Sequence, residues 1–65
     1  MNDFKDRLNT ERYELLLKIN LLEKFRSTDD LYDLPIIQQD LSRIQLHAMK
    51  TYHTILCVRV EALNE

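Results

Sequence analysis

The chain has 65 residues and a mass of 7.9 kDa, with 9 basic against 11 acidic residues and a net charge of −2. It has no Gly, one Pro and one Cys, which excludes a Gly-rich phosphate loop, a disulfide scaffold and more than one domain. No strongly basic field exists for nucleic acid, and no apolar run is long enough to span a membrane.

Residues 1 to 65 read as a single domain. Hydrophobic residues make up 45% of the chain, which argues against disorder. A fold of this size leaves about 40% of its surface exposed when it stands alone. Without Gly, tight β-turns and left-handed helix caps lack their usual residue. Long helices joined by one loop are the economical solution. The N-terminus alternates in charge and has no apolar core of a signal peptide. A single buried thiol, Cys57, fits a reducing cytoplasm.

The first helix is expected over about residues 3–26, a stretch rich in Leu, Glu, Lys and Arg. Asn2 or Asp3 can cap its start. Phe4, Leu8, Leu15, Ile19 and Leu22 fall on one face at about 100° per residue. Asp3–Arg7 and Glu14–Lys18 are acid-before-base pairs at i,i+4. A second stripe, Tyr13, Leu17 and Leu21, lies away from that face. A lone hairpin cannot cover both stripes, so the second is expected to be an oligomer interface.

A loop is expected over 27–34. Ser27 or Thr28 can cap one helical turn there, with Asp29 and Asp30 at its positive end and Leu31 and Leu34 tucked inward. The acidic tip lacks the ligands and the Gly of a calcium loop. The second helix is expected from Pro35 to about residue 63. Ile37, Leu41, Ile44, Ala48, Tyr52, Ile55 and Leu56 form a broad apolar face that the first helix is expected to cover. The fold class is therefore all-α: an antiparallel two-helix hairpin, assembling as a homo-oligomeric helical bundle.

Polar groups sit on or beside these faces: Glu11 and Lys18 on the first helix, Gln45, Tyr52 and Arg59 on the second. Buried charge needs a partner. In an antiparallel hairpin Arg7 and Glu11 come near Tyr52 and Arg59. Two readings follow. One is an internal Glu11–Arg59 or Glu11–Tyr52 bond that sets the register. The other is a polar pocket between subunits lined by Arg7, Glu11, Tyr52 and Arg59. Arg43, His47, Lys50 and Thr54 make a further basic stripe, read as a solvated face. His47 and His53 do not have the spacing of a metal pair. His53 and Cys57 are i,i+4 neighbours without an oxyanion donor or third group, so no catalysis is expected.

Two segments carry a resemblance: Arg7-Leu8-Asn9-Thr10-Glu11, and Gln45-Leu46-His47-Ala48-Met49-Lys50-Thr51-Tyr52-His53-Thr54-Ile55-Leu56-Cys57-Val58-Arg59. With their R-L-x-x-E and Q-L-x-A-M-x-x-Y-x-x-I-L-x-x-R patterns they resemble short helical-hairpin proteins of tailed and crAss-like bacteriophages. That group is similar in layout to phage sponges that sequester the nucleotide signals of CBASS or Thoeris immunity. The resemblance implies a counter-defence protein of the host cytoplasm that holds a cyclic oligonucleotide or ADP-ribose derivative at subunit interfaces, without turnover. It implies Arg7, Glu11, Gln45, Tyr52 and Arg59 as ligand-binding positions. Arg59 and Arg7 would pair with phosphate, Tyr52 would stack or donate a hydrogen bond, and Glu11 would orient an Arg or accept from a ribose hydroxyl. Neither cofactor nor metal is expected, and neither nucleic acid nor membrane as partner. The alternative is a protein–protein inhibitor or assembly factor that engages a host or phage protein, such as a defence protein, through Tyr13–Leu17–Leu21 or the acidic tip.

Overall fold

The computed structural model describes residues 3–64, and among these it is all-helical with no strand. Helix α1 spans Asp3–Arg26, a short 3-10 turn spans Asp29–Asp33, and helix α2 spans Ile36–Leu63. The two long helices pack against each other as an antiparallel hairpin. Asn2, one of the expected caps, lies outside the described residues.

The ends of the elements follow from local chemistry. Asp3 and Asp6 occupy the first turn of α1, and Lys24 and Arg26 the last, each opposite in sign to the helix dipole. Ser27 and Thr28 act differently from expectation. Thr28 is the N-cap residue of the 3-10 turn, but its side chain makes no cap bond there. Instead Ser27 Oγ donates to Lys24 O and Thr28 Oγ1 donates to Phe25 O, both at 2.7 Å. The two hydroxyls thus add a second donor to carbonyls in the last turn of α1 that already accept the Ser27 and Thr28 N–H groups.

Leu31 is buried under the turn and Leu34 is half-buried. Pro35 is the N-cap residue of α2, and Gln39 Nε2 donates back to Leu34 O at 2.9 Å. The half-buried Arg26 then ties the top of α1 to α2. Its guanidinium donates to Gln39 O at 2.8 Å and to Ser42 Oγ. Together these bonds set the rotation of α2 about its own axis.

That rotation overturns one expectation. On α1 the expected face does turn inward: Leu8, Leu15 and Ile19 are buried and Leu22 is half-buried, while Phe4 at the helix end stays 47% exposed. On α2 a different face is covered. Gln39, Ser42, Leu46, Met49 and His53 are half-buried, and Leu56 and Val60 are buried. Their spacing alternates between three and four residues, the stripe of a helix pair. Of the expected α2 face only Leu56 is in the core. Ile37, Leu41, Ile44, Tyr52 and Ile55 are between 42% and 62% exposed. Two apolar stripes run along α2, and one neighbouring helix covers only one. The short connection and the Arg26 clamp select the stripe with the smaller and more polar residues.

The result is a thin rod. Its extents are 48 × 14 × 14 Å and its radius of gyration is 14.9 Å. A compact chain of this length has a radius of gyration of about 11 Å. The accessible surface of 5115 Å² exceeds the roughly 4400 Å² usual for this mass. Among the described residues, six apolar side chains are buried while fourteen large ones are exposed, so the hairpin alone encloses little core. Among the described residues, no helix is long and apolar enough to cross a membrane.

Candidate binding flank of the hairpin

Two long helices side by side leave two flanks along the groove between them. Which residues line each flank follows from helical phase. On α2, Gln45, Tyr52 and Arg59 recur every seventh residue and so form one straight row. On α1, Phe4, Arg7, Glu11, Lys18 and Phe25 lie to the matching side, about 40–100° from the core direction. In an antiparallel pair these two sets lie on the same flank. The guanidinium of Arg59 confirms the pairing, since it lies over the Phe4 ring at 5.6 Å from the centroid. That is within cation–π range.

All five positions named by the sequence, Arg7, Glu11, Gln45, Tyr52 and Arg59, are exposed along this flank. The register that sets Lys5 beside Asn64 and Arg26 beside Ser42 puts Arg7 and Glu11 near the level of Val60 and Leu56. The internal bond that would fix that register is not formed. Among the described residues, Glu11 makes no ion pair with Arg59 and no hydrogen bond with Tyr52. Arg59 uses Phe4 instead, and the carboxylate of Glu11 stays in water. Register is held elsewhere, by the Arg26 clamp and the buried leucines.

Further along the same flank, Lys18, Leu21, Leu22 and Phe25 of α1 and Gln45 and Met49 of α2 surround a shallow depression of about 380 Å³. Gln45 Nε2 lies 3.8 Å from Met49 Sδ at its floor. One cation, one amide and several apolar groups can receive a flat ring with a polar edge. Phe4, Phe25 and Met49 were not singled out by the sequence as site residues. Phe4 sits at i−3 from Arg7 and Phe25 at i+7 from Lys18, a spacing that already places both rings beside the cations.

The opposite flank is polar in another way. Lys5, Asn9 and Arg12 of α1 face Cys57 and Glu61 of α2, and Asn64 just past its end, across a cleft of about 440 Å³. Its cations are already engaged: Lys5 Nζ donates to Asn64 Oδ1, and Arg12 Nη2 donates to Asn9 Oδ1 at 3.0 Å. Lys50 from the basic stripe pairs with Glu23 at 3.1 Å, both about half-exposed. Thr54 Oγ1 donates to Lys50 O at 3.1 Å. The i,i+4 pairs Asp3–Arg7 and Glu14–Lys18 do not close to ion-pair distance.

Cys57 Sγ lies 3.8 Å from both Nδ1 and Nε2 of His53. The sulfur faces the ring rather than aligning with one nitrogen, which is packing geometry and not a nucleophile–base bond. Among the described residues, no cluster of His, Cys, Asp and Glu could hold a metal ion. The expected oligomer stripe, Tyr13, Leu17 and Leu21, is 63%, 45% and 69% exposed on the outer side of α1.

A protein-family model described as Sequestin matches residues 2–62. No curated protein and no solved structure matches the chain.

Proposed function

The chain belongs to the Sequestin family, and from that premise we propose that it binds and sequesters a nucleotide immune signal, in the manner of a phage counter-defence protein. The signal would be a cyclic oligonucleotide or an ADP-ribose derivative, held at subunit interfaces in the host cytoplasm and not turned over. The observation that carries the reading is the alignment of cations and rings on one flank. Arg7 and Arg59 lie toward one end, Arg59 is backed by Phe4, Tyr52 follows one heptad on, and Lys18, Gln45 and Phe25 continue the row.

Each part has a role in such a complex. Guanidinium groups pair with phosphate oxygens in two parallel bonds. Tyr52 offers a stacking face or a phenolic donor, Glu11 accepts from a ribose hydroxyl or steers an Arg, and Gln45 reads a base edge. The flank of one hairpin is open to solvent, so a second chain is needed to close over a ligand and exclude water. Sequestration requires affinity and stoichiometry, not a catalytic group, which suits a chain of 65 residues.

The test is depletion and recovery. The protein is mixed with single cyclic oligonucleotides and ADP-ribose isomers, passed through a size filter, and the filtrate assayed. The expected result is loss of one signal class from the filtrate and its chemically unchanged return on heat denaturation. The bound signal should also raise the melting temperature, by about 2.7 kcal/mol of stability at a hundredfold excess over Kd. Arg59→Ala should abolish retention while leaving helix content intact. No retention of any signal would refute the reading, and recovery of a cleaved signal would refute sequestration without turnover.

A second reading has its own observation. Tyr13, Leu17 and the acidic tip at Asp29, Asp30 and Asp33 are exposed outside that flank, and of the outer stripe only Leu21 reaches it. A small inhibitor or assembly factor would dock a protein there. Leu17→Asp, once its oligomeric mass is shown to be unchanged, separates the two: it should leave nucleotide retention intact under the first reading and abolish partner binding under the second.

A further inference from the structure

The outer face of α2 is an uncovered apolar stripe. It lies about 140° around the helix from the covered stripe, so α1 cannot reach it. Its apolar positions are Ile37, Leu41, Ile44, Ala48, Tyr52 and Ile55, all exposed. They are arranged symmetrically in sequence. Counting outward from Ala48, positions 4, 7 and 11 residues away are Ile44, Leu41 and Ile37 on one side and Tyr52, Ile55 and Arg59 on the other. Ala48 is the smallest side chain on the stripe, and small residues let two helices approach closely.

We infer that two copies of this chain pair along the outer face of α2, antiparallel, with the two-fold axis at Ala48. The inference rests on the self-association in the sequestration reading and not on the identity of its ligand. In this arrangement Ile44 packs on Tyr52 of the partner subunit and Leu41 on Ile55 of the partner subunit. Beyond them Ile37 lies at the level of the partner's Arg59. The interface is isologous: one patch, used twice, buries itself completely.

Three observations select a second copy, and this orientation, over other occupants. Length is the first. The α2 stripe from Ile37 to Ile55 covers about 27 Å of the 28-residue helix. The α1 stripe from Tyr13 to Leu21 covers only about 12 Å, so pairing α1 of one copy with α2 of another leaves most of α2 bare. Only another α2 matches its extent. The second is charge. Asp29, Asp30, Asp33 and Asp40 all sit at the loop end of the rod. Parallel pairing would bring the acidic ends of both copies together. Antiparallel pairing keeps the two acidic tips apart, at opposite ends of the pair. The third is the flank itself. Gln45, Tyr52 and Arg59 form the edge of the outer face, so the pairing brings the candidate binding rows of both copies to the rim of one interface.

The orientation is tested by cross-linking full chains in a Cys57→Ser background. At a two-fold axis, Ala48→Cys meets its own equivalent within disulfide reach and should form a covalent dimer on mild oxidation. Leu41→Cys alone and Ile55→Cys alone should not, because antiparallel copies hold these positions about 21 Å apart. An equimolar mixture of those two variants should cross-link to each other. Self-linking of Leu41→Cys would establish a parallel pair and overturn the inference. So would an Ala48→Cys chain that remains a monomer.

Ile44→Asp and Leu17→Asp supply the control on the surface. The expected result is a helical monomer for Ile44→Asp and an unchanged dimer for Leu17→Asp. The reverse would assign the interface to α1. If Ile44→Asp fails to fold, the cross-linking pattern still decides. A dimer with this pattern that retains no nucleotide would refute the sequestration reading alone and leave the pairing standing.

Discussion

The two faces of α2 differ in a direction opposite to simple expectation. The face that packs on α1 carries Gln39, Ser42, Met49, His53 and Cys57 beside Leu46, Leu56 and Val60. The face turned to solvent carries Ile37, Leu41, Ile44, Tyr52 and Ile55. The more apolar stripe is outside. In a monomer that choice would forfeit the stronger hydrophobic contact. In an assembly it is sensible: the smaller and more polar residues let α1 lie close and accept the Arg26 clamp, while the larger ones are kept for the subunit contact. On the proposed pairing, what looks like an excess of apolar residues in a small chain is a second interface.

Neighbouring residues on the two faces give the sharpest contrast. Leu56 is fully buried, and Leu56→Ala should cost about 2–5 kcal/mol. A chain this small rarely holds more than about 3–5 kcal/mol from one core, so circular dichroism should show most of the helix lost at any protein concentration. Ile55→Ala, one residue away and half-exposed, should instead lower the melting temperature only at concentrations where the native chain is assembled. Equal, concentration-independent losses at both positions would break the comparison.

Arg26→Ala addresses how α2 is rotated. It removes the bonds to Gln39 O and Ser42 Oγ, and charged hydrogen bonds of this kind contribute about 1.5–3 kcal/mol. Hydrogen exchange should quicken first around Gln39 and Ser42, with Leu56 still protected. The smallest effect is expected on the flank that belongs to neither face. Glu23→Gln removes an exposed pair with Lys50, and the loss should be about 0.2–1 kcal/mol and vanish in high salt.

Much of the fold was legible before the structure. The absence of Gly, the placing of Pro35 and the 3.6-residue periodicity point to two helices and one loop. The α1 core face was legible too, because Leu8, Leu15, Ile19 and Leu22 form the more continuous of its stripes. The α2 face was not. Both of its stripes are periodic, the outer one is more apolar, and periodicity does not say which stripe an intramolecular neighbour will cover. That is decided by the connection: the 3-10 turn, the Gln39–Leu34 bond and Arg26 are local geometry with no clear sequence signature.

For the proposed site, the shared flank was legible in the sequence and the contacts were not. Arg7, Glu11, Gln45, Tyr52 and Arg59 do share one flank, since phase alone determines that. Charge complementarity suggested Glu11 as the partner of Arg59. The geometry instead offers Phe4, because a long guanidinium side chain at a helix end reaches a ring across the groove more easily than a carboxylate one turn further in.

The central claim is that the working unit contains at least two chains, and the unmodified protein tests it directly. Its mass in solution is measured by light scattering on a size-exclusion column across a hundredfold range of concentration. The account predicts a mass of at least twice 7.9 kDa at the upper concentrations, falling toward a single chain on dilution. A mass of 7.9 kDa at every concentration would contradict it, leaving the outer face of α2 without its second copy and the binding flank open on one side.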